Sequence, residues 1–261
     1  MRGTSPVAVD HAAEAARIVA AHDRHALLDP ITDRSPITMA DAYAIQDGVT
    51  AARLARGACR IGWKLGYTSQ AMRRQMNIDA PNFGPLTDAM LLDDGGNVGG
   101  HFTQPRVEPE VLLRFGSDVA PGADRATVLA AVASGHAALE VVDSVWREYR
   151  FRIEDNTADG SSAAGVVIGP ALPLASIVDV GVELMVDGSV VARGVGSDAS
   201  GHPADGVVWL VNELADRGHA LRAGDIVLTG GLTPAAALGP GTVATARFGN
   251  DLSVTIRTAA T

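Results

Sequence analysis

Residues 105–115 read P-R-V-E-P-E-V-L-L-R-F, a run in which Glu108 and Glu110 alternate with Val107, Pro109 and Val111. Strand side chains repeat every second residue, so the two acids project to one face and the three apolar residues to the other. Adjacent carboxylates repel unless water, a shared proton or a cation intervenes. The spacing therefore reads either as a solvated strand face or as part of a site for a hard divalent metal. A third acid, Glu140, lies in the apolar run H-A-A-L-E-V-V-D-S-V-W, where an unpaired carboxylate is costly to bury. If it enters the same cavity, the three complete a facial oxygen site suited to magnesium or manganese, leaving positions for water and substrate.

Composition narrows the field. The 261 residues are 47% apolar and 20% charged, which describes a compact folded chain rather than a disordered one. The net charge is −9 and the densest basic cluster, Arg147, Arg150 and Arg152, is interleaved with Glu148 and Glu154, so nucleic acid binding is not expected. With 4% aromatic residues, a stacking platform for bases is not expected either. Cys59 stands alone, which excludes an internal disulfide, and no cysteine–histidine spacing suits zinc. A reducing cytoplasm fits this usage. No basic-then-apolar leader opens the chain, and no apolar run is long enough to cross a bilayer.

Along the chain, alanine-rich spacing predicts a helix over 7–28, carrying His11, His22 and His25 among polar neighbours. Thr38, with Asp41 three residues on, caps a second helix running to about residue 56. These helices form a cap, residues 1–58, on a main unit of residues 59–261. In R-I-G-W-K-L-G-Y-T-S, Lys64 shares a strand face with Gly62 and Gly66; it is either a solvated lysine or one around which bare backbone lets a ligand approach. A short helix over 70–76 precedes the rigid loop N-I-D-A-P-N-F-G-P-L-T-D, on which Asp79 and Asp88 are candidate acids. A helix over 124–139 leads into A-L-E-V-V-D-S-V, where Glu140 and Asp143 fall on opposite faces. The loop over 155–165 then sets Asp159, Ser161 and Ser162 at a strand mouth. A hairpin turning at Asp187-Gly188, a helix over 203–217 and a closing strand over 252–257 follow. The fold class is α+β: a helical N-terminal part, then a mixed β-roll or barrel-like core.

Seven stretches, in consistent order, carry a resemblance: G-W-K-L-G-Y-T-S, D-A-P-N-F-G, P-R-V-E-P-E-V, A-L-E-V-V-D-S, A-D-G-S-S, G-H-P-A-D-G-V-V-W-L and A-G-D-I-V-L-T-G-G. From about residue 38 onward the chain resembles the 2-keto-4-pentenoate hydratase and 4-oxalocrotonate decarboxylase family of the fumarylacetoacetate hydrolase superfamily. The resemblance implies a mixed β-sheet roll of the C-terminal-domain type of that superfamily. It also implies a homo-oligomer, a divalent metal (magnesium or manganese) and a role in breaking down aromatic ring-cleavage products. It puts the metal carboxylates on Glu108, Glu110 and Glu140, the catalytic lysine on Lys64 and the loop aspartate on Asp79. Asp159 and Ser162 fall on the acid and serine of the A-D-N-A-S motif, whose asparagine is Gly160 here.

The reaction so implied is a hydration, 2-hydroxypenta-2,4-dienoate to 4-hydroxy-2-oxopentanoate. The alternative is decarboxylation of 2-oxohex-3-enedioate, a dicarboxylate that needs a second cationic anchor from Arg73, Arg74 or Arg106. Hydratases and decarboxylases of the family associate, which makes a non-catalytic partner subunit a further alternative; the intact Glu108, Glu110, Glu140 and Lys64 argue against it. Hydrolysis of an acylpyruvate wants a histidine base near the metal. None stands beside the acidic motif, and His202 reads as a helix-start residue.

Overall fold

The alanine-rich N-terminal sequence coils as its spacing predicts, with shorter bounds. In the computed structural model, which describes residues 9–70, 73–74, 78–98 and 102–260, helix α1 is His11–Arg24. Asp10 caps it by accepting from Ala13 N, and His25 ends it in the left-handed region at φ 51°. Helix α2 (Met39–Ala55) opens with the expected capping box: Asp41 N donates to Thr38 Oγ1 and Thr38 N to Asp41 Oδ2. The buried faces of the two, including Ile18, Ile45 and Val49, enclose Trp146 and Ala158 in an apolar cluster of their own. Each large side chain buried there contributes about 1.5–3 kcal/mol, which fixes the helices to the segment between two later strands.

The remaining elements are β1 (Arg60–Gly66), β2 (Asn82–Thr87), β3 (Leu91–Leu92), β4 (Arg106–Phe115), α3 (Arg125–Ala131), β5 (Val132–Val142), α4 (Ile153–Ala158), β6 (Ala163–Leu172), β7 (Gly181–Val186), β8 (Ser189–Val195), α5 (Pro203–Asp216), β9 (Ile226–Leu228), β10 (Ala236–Ala237), β11 (Val243–Phe248) and β12 (Leu252–Arg257). Among the described residues these strands make an eight-stranded sheet in the order β2-β1-β9-β4-β5-β6-β3, with β10 on β4, and a four-stranded sheet in the order β12-β11-β7-β8. The larger sheet is mixed: β1 runs parallel to β9 and β3 to β6, while the other pairs are antiparallel. This is the α+β arrangement with a mixed sheet that the sequence predicts.

Two expectations are corrected or cut short. The helix over 124–139 stops at Ala131, because from Val132 the chain joins a strand pairing with β4 on one edge and β6 on the other. Two ladders satisfy its backbone along most of its length, which a helix there would forfeit. Of the helix over 70–76, residues 73–74 are helical and 71–72 and 75–76 lie outside the described residues. The hairpin turns where expected, with Asp187 and Gly188 at φ 48° and 80°.

One face of β4 and β5 feeds the main core: Val107, Val111, Leu113, Leu139 and Val141 pack with Leu184, Phe248 and Ile256 from the small sheet and with Val207 and Leu210 from α5. Strand alternation then sends Arg106, Glu108, Glu110 and Glu140 to the other face. There Leu112 and Ala138 join Leu86, Val166 and Leu228 in a smaller apolar cluster beneath the acids. No described helix is long and apolar enough to cross a membrane.

Candidate active site

Antiparallel pairing sets Glu108 directly opposite Glu140, and Glu110 follows two residues along the same face. One carboxylate oxygen from each of the three lies within 4.8 Å of the others. Glu110 and Glu140 are fully buried; Glu108 is half-buried at the mouth. Glu110 Oε2 accepts from Gly230 N at 2.7 Å, while its Oε1 and Glu140 Oε1 are buried without a hydrogen-bond partner. A Cβ at Gly231 would overlap the Glu108 carboxylate where it stands, so bare backbone leaves that carboxylate its place.

Lys64 enters from β1. Its buried Nζ lies 3.0 Å from Glu140 Oε2 and donates to Ser161 O at 3.1 Å, with Ser161 Oγ at 3.4 Å. Fully ionised, three carboxylates against one ammonium leave two negative charges in a desolvated space. The carboxyls respond by holding protons. Burial, then the Glu140 charge, raises Glu108 to about 7. The same causes raise Glu110 well above the ordinary carboxylate range, and burial raises Glu140 against the pull of Lys64. Burial alone would lower the Lys64 pKa, but Glu140, Glu108 and Glu110 outweigh it, so the ammonium is retained.

A hard dication fits this donor set. It takes oxygen ligands at about 2.0–2.6 Å, so ligands of one ion are separated by at most about 5.2 Å. Three all-oxygen donors within 4.8 Å satisfy that limit, two of them carry orphaned oxygens, and the two surplus negative charges equal the ion's charge.

The triad opens into a cavity of about 290 Å³ whose wall includes Lys64, Arg106, Glu108, Tyr149, Ser161 and Ser162. Eight non-glycine residues among those described adopt left-handed backbone, and four of them, Tyr67, Tyr149, Ser161 and Ser162, line this one cavity. Such conformations cost about 1–3 kcal/mol each and persist where surrounding contacts over-determine them. For Ser161 and Ser162 a buried amide network does so. Ser161 Oγ donates to Asn82 Oδ1, Asn82 Nδ2 donates to Asn156 Oδ1 and Thr157 Oγ1, and Asn156 Nδ2 donates to Ser162 Oγ. Gln46 of α2 ties the network to the helical part through Phe83 O and Thr157 O.

The structure brings Lys64, Arg106, Glu108 and Ser162 to this cavity, with Glu110 and Glu140 behind Glu108. It places three other candidates elsewhere. Asp159 faces away: Oδ1 meets His22 Nε2 at 2.8 Å and Oδ2 accepts from Val145 N at 3.0 Å, so both oxygens are spent in joining α1 to the 144–162 segment. Asp79 is exposed and does not line the cavity. Asp88 caps local backbone by accepting from Cys59 N and Ala89 N. Of the possible cationic anchors, Arg73 Nη1 is occupied by Tyr67 O and Thr68 O and Arg74 is exposed. Arg106 lines the cavity, stacked 4.0 Å from the Tyr149 ring, and pairs with no carboxylate among the described residues.

Gly66 lines the cavity, and a Cβ there would overlap the Asn82 and Ser161 side chains. Gly160, at φ 66° with nothing within 4 Å of a would-be Cβ, occupies a conformation that asparagine also tolerates. Sequence reasoning missed Asn82, Asn156, Tyr67 and Tyr149. No local pattern marks a tyrosine or an amide for left-handed backbone or a buried network, since both depend on the partner strand. His202 is the helix-start residue expected, accepting from Ala204 N at the head of α5.

Residues 65–260 match the fumarylacetoacetate (FAA) hydrolase C-terminal family. The chain is 37% identical over 218 residues to a 2-hydroxyhexa-2,4-dienoate hydratase of Comamonas testosteroni, covering 79% of this chain and 81% of that one. It is 36% identical over 233 residues to a 2-keto-4-pentenoate hydratase of Burkholderia vietnamiensis, covering 87% and 89%. The structure of 4-oxalocrotonate decarboxylase from Pseudomonas putida G7, complexed with magnesium and adipate, superposes with a TM-score of 0.92 at 30% identity, over 97% of this chain and all of that one.

Proposed function

The chain belongs to the fumarylacetoacetate hydrolase family, in its branch of 2-keto-4-pentenoate hydratases and 4-oxalocrotonate decarboxylases, and on that premise we propose a divalent-metal-dependent lyase acting on 2-hydroxydienoates and 2-oxoenoates. The first reading is hydration of 2-hydroxypenta-2,4-dienoate to 4-hydroxy-2-oxopentanoate. The observation that carries it is the convergence of Glu108, Glu110 and Glu140 within 4.8 Å beside a buried lysine. The three glutamates would hold magnesium or manganese, which supplies Lewis-acid stabilisation of an enolate when bound.

What the chain's own groups do follows from their geometry. Lys64 keeps its charge, so it works as a donor. One proton points at Ser161 O and one at Glu140, and its contact with Ser161 Oγ is the longest at 3.4 Å. An oxygen of a 2-oxo acid in the cavity would compete best for that third proton. The Ser161-Ser162 turn fixes the ammonium's position, and Ser162 Oγ, already accepting from Asn156, retains its own hydroxyl proton for a substrate oxygen. Tyr149 and Phe151 give the cavity an apolar side suited to a conjugated chain. Asp79, three residues before the buried Asn82, is proposed as general base on the strength of its motif. It is exposed in the structure, so its part requires the carboxylate to move inward when substrate binds.

Arg106 favours a second reading, decarboxylation of 2-oxohex-3-enedioate, because a guanidinium in the cavity that pairs with no carboxylate among the described residues suits a distal carboxylate. Incubation of the manganese-loaded protein with each substrate decides between them. Water addition to the dienoate supports the hydratase, and carbon dioxide release from the dicarboxylate without hydration overturns it in favour of the decarboxylase. Residues 1–58 are proposed as a cap and 59–261 as the catalytic unit, since α1 and α2 bury most of their apolar faces outside the main core, in a cluster closed by Trp146 and Ala158 of the larger unit. A homo-oligomer, and association of hydratase with decarboxylase, rest on the resemblance, and sedimentation of the purified chain tests the first.

A further inference from the structure

Behind the wall of the active-site cavity lies a second cavity, of about 620 Å³. The two share a partition. Ser161 and Ser162 face the first, and Ala163 and Ala164, next in sequence, face the second. Nothing in the proposed reaction uses this space.

Most charged groups of its lining are engaged with other protein groups. Asp143 accepts from Thr103 N and Gln104 N, and Asp88 Oδ1 accepts from Cys59 N and Ala89 N. His22 is engaged with Asp159, and both outer nitrogens of Arg56 with Asp23. Arg53 is the exception. It lines the cavity half-buried and forms no ion pair among the described residues, whereas Arg56, the other arginine of that wall, pairs with Asp23. Around it the wall is apolar: Met90, Phe102, Ala58, Ala89, Ala163 and Ala164. Burial here works against the Arg53 charge and lowers its pKa, while the Asp159 carboxylate works for it, and a guanidinium stays ionised throughout. A half-buried cation with no ion pair among the described residues is one that an anionic ligand neutralises.

We propose that this second cavity is a binding site for a small monocarboxylate with an apolar body, its carboxylate on Arg53 and its carbon chain against Met90, Phe102 and the alanines. Its place in the fold gives the site its interest. His22 lines the cavity and holds Asp159, which heads the turn whose Ser161 carbonyl accepts from Lys64. An occupant therefore stands one side chain from the loop that positions the active-site ammonium.

The test is calorimetric titration of hexanoate into the full-length, manganese-loaded protein with oxalate saturating the active site. One hexanoate per chain is expected, with hexan-1-ol failing to bind. Arg53→Gln should weaken hexanoate about 10- to 100-fold, the loss of a charge-assisted contact. Ala89→Trp, a filling change at an exposed position of the lining, should abolish it without disturbing the core. The proposal is overturned if the wild-type protein binds no hexanoate, if oxalate displaces it, or if neither variant weakens it. No arm measures turnover, so failure of the lyase assignment and failure of this site are read separately.

Discussion

Stripping the metal should make the protein's stability fall with pH across the range where the buried glutamates lose their protons. Glu108 is raised from 4.5 to about 7 in the folded protein, by burial first and by Glu140 second. A carboxyl whose folded pKa lies above its unfolded value contributes stability that is fully present below about 4.5 and is lost as pH rises through about 7. At about 1.4 kcal/mol for each tenfold change in acidity, Glu108 alone supplies roughly 2–3 kcal/mol once solvent screening of its half-buried side chain is taken off. For a chain of this size that is roughly 5–10 °C of melting temperature. Glu110 and Glu140 are raised too and act in the same direction. A bound dication replaces those protons, so the loaded protein should lack the drop and bind metal more tightly as pH rises. The assay is thermal unfolding from pH 5 to 8, with chelator and with excess manganese. The gap between the two curves should open toward pH 8, and Glu108→Gln should narrow it. Parallel curves, or a gap that Glu108→Gln leaves untouched, would refute the reasoning.

Lys64→Met should cut turnover by about 100-fold or more, the usual scale for a positioned proton donor, while manganese affinity holds or increases because a cation has left the triad; titration with turnover on the same sample separates the two effects. Arg106→Gln should raise KM for the dicarboxylate by about 10- to 100-fold and change KM for the five-carbon monocarboxylate by less than about threefold, as steady-state kinetics on both will report. Gly160→Asn should leave the melting temperature within a few degrees, since the position is open and left-handed, whereas Gly84→Ala should unfold or severely destabilise the chain by driving a methyl into the Gly160 carbonyl.

What could be read from sequence follows the range of the interaction. The pairing of Glu108 and Glu110 on one face needs only the two-residue period of a strand, and Thr38–Asp41 or Asp187-Gly188 need only a turn of backbone. Helix α3 ends early because β4 and β6 claim the chain from Val132, a decision made by residues far away in sequence. Asp159 shows the same limit at the site. Its motif says that an acid is needed there, but the direction of that acid is set by His22, 137 residues earlier, and by Val145 N. Gly66 carries a second role that the strand alone does not show: besides lining the cavity, it is small to admit Asn82 and Ser161.

The same geometry explains why the helical part accompanies a site to which it contributes no cavity-lining side chain. Lys64 can neutralise Glu140 only if its acceptor, the Ser161 carbonyl, is held in place, and Ser161 and Ser162 sit in backbone that serine does not adopt unaided. The forces holding that turn come from two directions: Asn82 and Asn156 from within, and α1 and α2 from behind through His22–Asp159 and Gln46. Replacing Gln46 by leucine keeps the volume and removes both backbone contacts, leaving the buried Phe83 and Thr157 carbonyls without the donor that Gln46 supplies at about 1–3 kcal/mol each. The turn should then relax toward unstrained backbone and the ammonium drift from Glu140. Gln46→Leu, remote from the triad, should therefore lower kcat while leaving manganese affinity close to that of the wild-type protein. Unchanged kcat in a folded variant would show that the turn holds without the helices.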